Sequence, residues 1–223
     1  MLFALLQPAA LAGLLLAFGL GLAVRVSVQV WLAARLLRHR VGSALPQPRR
    51  DIDPFGAIAA VLGGTGWGRE APLPESGWLV GQVRQRATVL IAGPLAVIVL
   101  GMLVLFGHRY GFGGGQMLSG YPSDVLRGSP GPPLEQVVVS FGVGLLCFGV
   151  LAFVPLPPLD GWGLLWLAFR RPGETAQKVQ FWLGERNLGM LALLVLLIYP
   201  INTPLVHRLL DLLVHPLISL AAS

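Results

Sequence analysis

One carboxylate in an apolar stretch is the residue best placed to do chemistry in this chain. Asp160 lies between a run of apolar and proline residues, 153–159, and Gly161. A carboxylate inside such a segment is costly, so it marks a functional site or a paired structural charge. The prolines interrupt a helix and free backbone carbonyls, an arrangement that is tolerated only where protein surrounds the segment.

Arg25 is the candidate partner for this carboxylate. It also lies within a long apolar run, and its planar guanidinium matches a carboxylate through two parallel hydrogen bonds. In the alternative arrangement, Arg25 extends to the membrane surface while Asp160 accepts N–H bonds from its own turn. A transporter or proton pathway that uses the same two charges is a further alternative, although it would require more buried polar groups.

A second group of polar residues recurs every four positions near the C-terminus. His207, Asp211 and His215 share one face of a predicted amphipathic helix within residues 204–220. Such a row is able to bind a metal ion, but a solvated stripe on a helix that lies in the membrane interface is the simpler interpretation. We expect the interfacial helix and no metal there.

The composition places these residues in a membrane protein. The chain has 223 residues, of which 55% are hydrophobic and 12% are charged, whereas soluble domains carry about 25% charged residues. The mean hydropathy is +0.73. The net charge of +6 comes mainly from segments between apolar runs, so we expect no nucleic-acid partner. Cys147 is the single cysteine, which excludes an intrachain disulfide.

The apolar runs predict an all-α fold in a single membrane domain over residues 1–223. About twenty apolar residues cross a bilayer, and four such runs predict transmembrane helices. They lie near residues 2–30, 87–106, 137–169 and 188–206. The first run is interpreted as a retained helix because residues 1–7 lack the basic start of a signal peptide.

A shorter apolar segment and the basic loops complete the predicted topology. Residues 54–64 are flanked by proline and glycine and are too short to cross, which favours a re-entrant or interfacial hairpin. Basic loops at 35–50, 69–86 and 170–186 fall on one side of this topology. We therefore expect an integral protein of a bacterial cytoplasmic membrane with these loops in the cytoplasm.

Three motifs, in order, resemble those of site-2 proteases, the intramembrane zinc metalloproteases. The run 153–161, Phe-Val-Pro-Leu-Pro-Pro-Leu-Asp-Gly, is similar to the family motif whose aspartate is the third zinc ligand. The segments 51–56 and 92–96 resemble two further family motifs. The resemblance assigns structural roles to nine motif residues, which are Asp53, Pro54, Gly56, Gly93, Pro94, Pro157, Pro158, Asp160 and Gly161.

The zinc ligands themselves are missing from this chain. Aligning the helix that follows the family's His-Glu-x-x-His onto residues 31–37 puts Val26 and Val30 at the two histidine positions and Ser27 at the glutamate. A catalytic zinc site needs three protein ligands, and the glutamate must take a proton from the bound water. Asp160 is then a vestigial ligand that cannot hold zinc alone. Substrate-binding asparagines of the family are also replaced, by Val97 and Ala152.

The resemblance therefore implies a catalytically inactive relative without a cofactor. The expected role is that of a binding or structural subunit of a larger assembly, with the lipid bilayer and other integral membrane proteins as partners. The alternative is an active zinc metalloprotease with a divergent site, built from His39, Asp160 and either Asp51 or Asp53.

Overall fold

The computed structural model describes residues 6–37, 47–69, 82–112, 120–129, 131–169, 173–198 and 204–222. Within these ranges the regular elements are helical, and the predicted all-α membrane fold is confirmed. The helices are α1 (Pro8–Leu36), α2 (Pro48–Asp51), α3 (Pro54–Gly63), α4 (Val83–Phe112), α5 (Pro122–Arg127), α6 (Pro133–Leu151), α7 (Asp160–Ala168), α8 (Glu174–Gln180), a π-helical turn (Phe181–Glu185), α9 (Leu188–Ile198) and α10 (Leu205–Ala222).

Three of the described helices are long and apolar enough to cross a membrane, namely α1, α4 and α6. The predicted third crossing, 137–169, is divided into α6 and α7, because the proline-rich turn between them cannot continue the helix. The predicted fourth crossing, 188–206, contains the 11-residue helix α9. Residues 199–203 lie outside the described residues, so a fourth crossing stays a prediction.

The bundle of α1, α4 and α6 packs through small residues. A Cβ on Gly144 of α6 would meet the Cβ of Ala17 in α1 at 2.7 Å, and one on Gly13 would collide with the carbonyl of Val137. Apolar helices in lipid associate through such close backbone contact, since lipid removes the hydrophobic driving force between them. This contact fixes the position of α1, which carries Arg25.

Residues 52–68 form a hairpin, with α3 as one arm and residues 64–68 as the extended second arm. Its predicted re-entrant or interfacial position in a membrane stays a prediction. Gly64 ends α3 in the left-handed conformation at φ 82°, and Ile52 pairs with Gly68 at the mouth. The two arms approach so closely that a Cβ on Gly56 would collide with the Trp67 carbonyl, and one on Gly66 with the Gly56 carbonyl. Glycine is therefore required where the arms cross.

Gly56→Ala is expected to destabilise the fold by about 1–3 kcal/mol, since the new methyl group overpacks a backbone contact that has no room to relax. The measurement is the midpoint of unfolding in detergent. Gly107→Ala in α4 is the matched control, because no atom lies within 4 Å of a Cβ there. Equal midpoints for the two variants would show that the arms of the hairpin do not touch.

The C-terminal helix α10 differs from the predicted interfacial helix with a solvated polar stripe. Its polar row faces the protein: His207 Nε2 lies 2.9 Å from the Gly63 carbonyl oxygen, and Asp211 accepts hydrogen bonds from the backbone and hydroxyl of Ser123, both at 2.8 Å. The ring of His215 packs on Tyr121. Leucine side chains are exposed on the outer side of the helix, at Leu205, Leu209, Leu212, Leu213 and Leu220.

The structure changes the expected solvation of the polar row of α10. The end of α3 and the start of α5 supply hydrogen-bonding groups for His207 and Asp211, so these side chains contact protein. The most deeply buried side chains of the helix are apolar, namely Val206, Leu210, Val214 and Ile218. The placement of α10 in the membrane interface stays a prediction.

Candidate functional site

Asp160 is the first residue of α7 and is held there by a compact turn. The backbone N–H of Gly161 donates to the carbonyl of Ala152 at 2.9 Å, which folds the end of α6 back onto the start of α7. A Cβ at Gly161 would collide with the Phe153 carbonyl, so only glycine allows this approach. The turn includes Pro157 and Pro158, and its backbone directs the Asp160 carboxylate into the protein, where the residue is 2% exposed.

The structure places Arg25 directly against this carboxylate. Arg25 Nε donates to Oδ2 and Nη2 donates to Oδ1 of Asp160, each at 2.6 Å, and both side chains are buried. Two parallel charge-assisted bonds are the strongest arrangement that these groups can form. Because the carboxylate is engaged through both oxygens, it is not free to bind a metal ion in this conformation.

Arg25 also connects its ion pair with Asp160 to the hairpin of residues 52–68. Its Nη1 donates to the carbonyl of Arg69 at 3.1 Å, and the Arg69 backbone N–H donates to the carbonyl of Asp51 at 3.0 Å. One guanidinium thus connects α1, α7 and the mouth of the hairpin. This use of three donors compensates for much of the cost of removing a cation from water.

Two other acidic residues of the predicted site have structural partners. Asp53 caps α3 by accepting from the backbone N–H groups of Phe55 and Gly56, and it accepts from Trp67 Nε1 at 2.5 Å. Asp51 binds the side chain of Arg50 at 2.6 Å. His39 lies outside the described residues. Within the described ranges, no group of three or more His, Cys, Asp and Glu side chains is placed to hold a metal ion.

Asp53→Ala should destabilise the protein by about 1–3 kcal/mol, because it removes the helix cap and leaves the buried Trp67 N–H without its acceptor. Asp53→Asn is the control, since its amide oxygen can still accept one of these bonds. We expect this variant to lose about half as much stability as Asp53→Ala. The readout is the unfolding midpoint in detergent. A midpoint for Asp53→Ala equal to the unmodified protein would refute the capping role.

The expected lost-ligand positions Val26, Ser27 and Val30 lie on α1. Val26 and Val30 are buried in an apolar cluster with Val97 and Phe148. The α1 side chain that binds Asp160 is Arg25. The alignment that placed the two missing histidines at Val26 and Val30 stays a prediction.

We propose a register one residue earlier as an alternative. The two histidines of His-Glu-x-x-His are four residues apart on one helix face, and Arg25 and Gln29 have this relation. Both are buried polar residues in an apolar helix, at 2% and 1% exposure. The glutamate position then falls on Val26. An apolar helix that buries an arginine and a glutamine one turn apart is the feature that suggests this second register.

Gln29 packs against the glycine of the Gly93–Pro94 motif in α4. A Cβ at Gly93 would lie 2.8–2.9 Å from the Gln29 side chain, so this glycine makes room for it. Both amide atoms of Gln29 are buried, and neither has a hydrogen-bond partner among the described residues. An unsatisfied buried amide costs about 1–3 kcal/mol. A buried glutamine at this position is therefore unfavourable for packing alone.

A search of curated proteins places the chain near the zinc metalloproteases. Over 161 residues it is 27% identical to a Bacillus subtilis (strain 168) protein named "Putative zinc metalloprotease YwhC". The match covers 70% of this chain and 65% of that protein's length. The chain has a metalloprotease homologue. No family model matches the chain, and neither does any solved structure.

This similarity and the apolar helices agree on the broad class. Together they suggest an integral membrane protein with a relative that is named as a putative zinc metalloprotease. The motif residues that carry the resemblance lie in the hairpin, at Gly93–Pro94 and in the turn before α7, and all three surround α1.

Proposed function

We propose that this chain is a catalytically inactive site-2-protease-like protein that acts as a binding or structural subunit of a larger membrane assembly. The observation that carries the proposal is the Arg25–Asp160 pair. It engages both oxygens of the carboxylate that the resemblance identifies as a zinc ligand. The positive charge that zinc would supply is supplied here by a guanidinium of the chain itself.

The Arg25 guanidinium can take the place of a zinc ion beside Asp160 on grounds of both charge and geometry. A buried carboxylate requires a nearby cation or it becomes protonated. Arg25 meets this requirement without a metal, and Gln29 occupies the second ligand position with a neutral amide, which is a poor zinc ligand. Val26 at the general-base position cannot accept a proton from water. Binding of the metal and activation of water are thus both removed, while the glycine and proline turns persist.

The alternative function is an active intramembrane metalloprotease with a divergent site. The homologue's name favours it. It requires His39 as a ligand together with Asp160 and either Asp51 or Asp53, and each of these carboxylates would have to leave the protein group that it now binds.

Elemental analysis of detergent-purified protein separates the two functions. The proposal predicts zinc well below one ion per chain after gel filtration without chelator. Stoichiometric zinc, together with chelator-sensitive cleavage of a membrane protein, would support the protease instead. If the protein is free of zinc but purifies from native membranes as a monomer, the proposed inactivity stands and the proposed role as a subunit is rejected.

The proposed partners contact the protein within the membrane. Apolar side chains remain exposed along α1 and α4, at Leu16, Leu20, Leu95, Val99 and Leu103. Lipid covers such faces in a monomer, and another transmembrane helix covers them in a complex. We place the protein in a bacterial cytoplasmic membrane with its basic loops in the cytoplasm, an assignment that rests on the distribution of arginine.

A further inference from the structure

The segment after α7 exposes an unusual concentration of apolar and aromatic surface. None of the described side chains of α8 is buried, and Phe181 and Trp182 in the following π-helical turn are 40% and 52% exposed. Val179 adds a third exposed apolar side chain. In water this surface would be unfavourable, whereas aromatic rings at the boundary of a bilayer are favoured.

A π-helical turn brings a cation onto these rings. The backbone N–H of Arg186 donates to the carbonyl of Phe181, five residues earlier, at 2.9 Å. In an α-helix two residues at this spacing would lie about 140° apart around the axis. The wider turn instead sets the Arg186 guanidinium 5.3 Å from the Phe181 ring centre and 5.6 Å from that of Trp182. Such turns are rare and occur often at functional sites.

The cluster of Phe181, Trp182 and Arg186 has the chemistry of an anion site at an apolar surface. Contact with the ring faces stabilises the guanidinium charge, and Arg186 remains exposed. Its N–H groups point outward around the edge of the plane, which is the geometry that binds phosphate oxygens in pairs. The exposed rings meanwhile offer contact to hydrocarbon. One ligand that combines a phosphate with hydrocarbon is a phospholipid.

The position of the cluster agrees with the depth of a lipid headgroup. The 19 residues of α6 extend about 28 Å, close to the thickness of the hydrocarbon layer, so the chain leaves that layer near the end of α6. The turn and α7 follow directly. Trp162 Nε1 of α7 donates to Gln180 Oε1 at 2.8 Å, which anchors the π-helical turn at this level.

We propose that the cluster binds the headgroup phosphate of an anionic phospholipid, and that the segment 174–186 lies in the membrane interface. The guanidinium charge of Arg186 disfavours the choline group of a zwitterionic lipid and favours a headgroup with net negative charge, such as phosphatidylglycerol.

Native mass spectrometry of the detergent-purified full chain tests this site. We expect phosphatidylglycerol to bind in preference to phosphatidylcholine, and Arg186→Gln to reduce that preference about fivefold. Trp182→Ala should reduce it as well, although the charge is unchanged. Lys178→Gln is the matched control and should change it less than about twofold, because the cation that lies over the two rings is Arg186.

Two results would overturn the proposal. Equal losses for Arg186→Gln and Lys178→Gln would show diffuse attraction by charge instead of a site, and no loss for Arg186→Gln would remove the arginine from lipid binding. An excess of inorganic phosphate should not displace phosphatidylglycerol. Displacement would show that the anion alone is recognised, without the lipid chains. Unfolding midpoints equal to that of the unmodified protein verify that the variants are folded.

Discussion

Asp160→Leu will destabilise the fold by about 3–5 kcal/mol, because it leaves the buried Arg25 guanidinium without a counter-charge. The loss of stability exceeds that of an ordinary core substitution. Arg25 is only 2% exposed, so its guanidinium cannot reach water unless α1 or the hairpin moves. The readout is the free energy of unfolding in mixed detergent and dodecyl sulfate micelles. We also expect a large fall in the yield of folded protein for Asp160→Leu.

The double variant Arg25→Leu, Asp160→Leu is the matched control. Replacing both members of a buried pair by apolar groups is often neutral or stabilising, because the desolvation cost of both charges disappears. We expect the double variant to recover most of the stability lost by Asp160→Leu. A loss of less than about 1 kcal/mol in the single variant would mean that Arg25 finds water or another acceptor, and the pair would then have little structural weight.

The broad architecture was readable from the sequence because a bilayer imposes strict lengths. Runs of about twenty apolar residues predicted helices that correspond to α1, α4 and α6, and Pro-Gly boundaries predicted that residues 54–64 turn back. The sequence also predicts the Arg25–Asp160 pair, since two opposite charges in apolar segments each need a partner. These inferences rest on the cost of placing polar backbone groups or unpaired charges in hydrocarbon, which is too large for local packing to offset.

The rotation of a helix about its axis and the protein partners of its polar side chains were not readable from the sequence. A shift of one residue rotates a helix position by about 100°, which separates Val26 from Arg25 completely, yet α1 is apolar enough that either register looks acceptable in the sequence. In α10, the polar row His207, Asp211 and His215 was expected outside because no partner for it was visible in the chain. The partners came from α3 and α5, which are distant in sequence.

The second large effect concerns the register of the missing zinc ligands. The triple variant Arg25→His, Val26→Glu, Gln29→His should bind about one zinc ion per chain, whereas the unmodified protein binds far less. The two introduced histidines would lie one turn apart on the α1 face that meets Asp160, and removal of the guanidinium frees that carboxylate as the third ligand. Elemental analysis after gel filtration measures the bound metal.

The matched control carries the same three residue types one position later, as Val26→His, Ser27→Glu, Val30→His. It retains the Arg25–Asp160 pair and directs both histidines into the apolar cluster with Val97 and Phe148, so it should bind little zinc. Adding Asp160→Asn to the first triple variant should remove most of its zinc. If the control binds as much zinc as the first variant while both remain folded, the register that assigns Arg25 and Gln29 to the ligand positions is incorrect. If neither binds, the turn before α7 no longer holds Asp160 where a metal can use it, and the scaffold has diverged further than its motifs indicate.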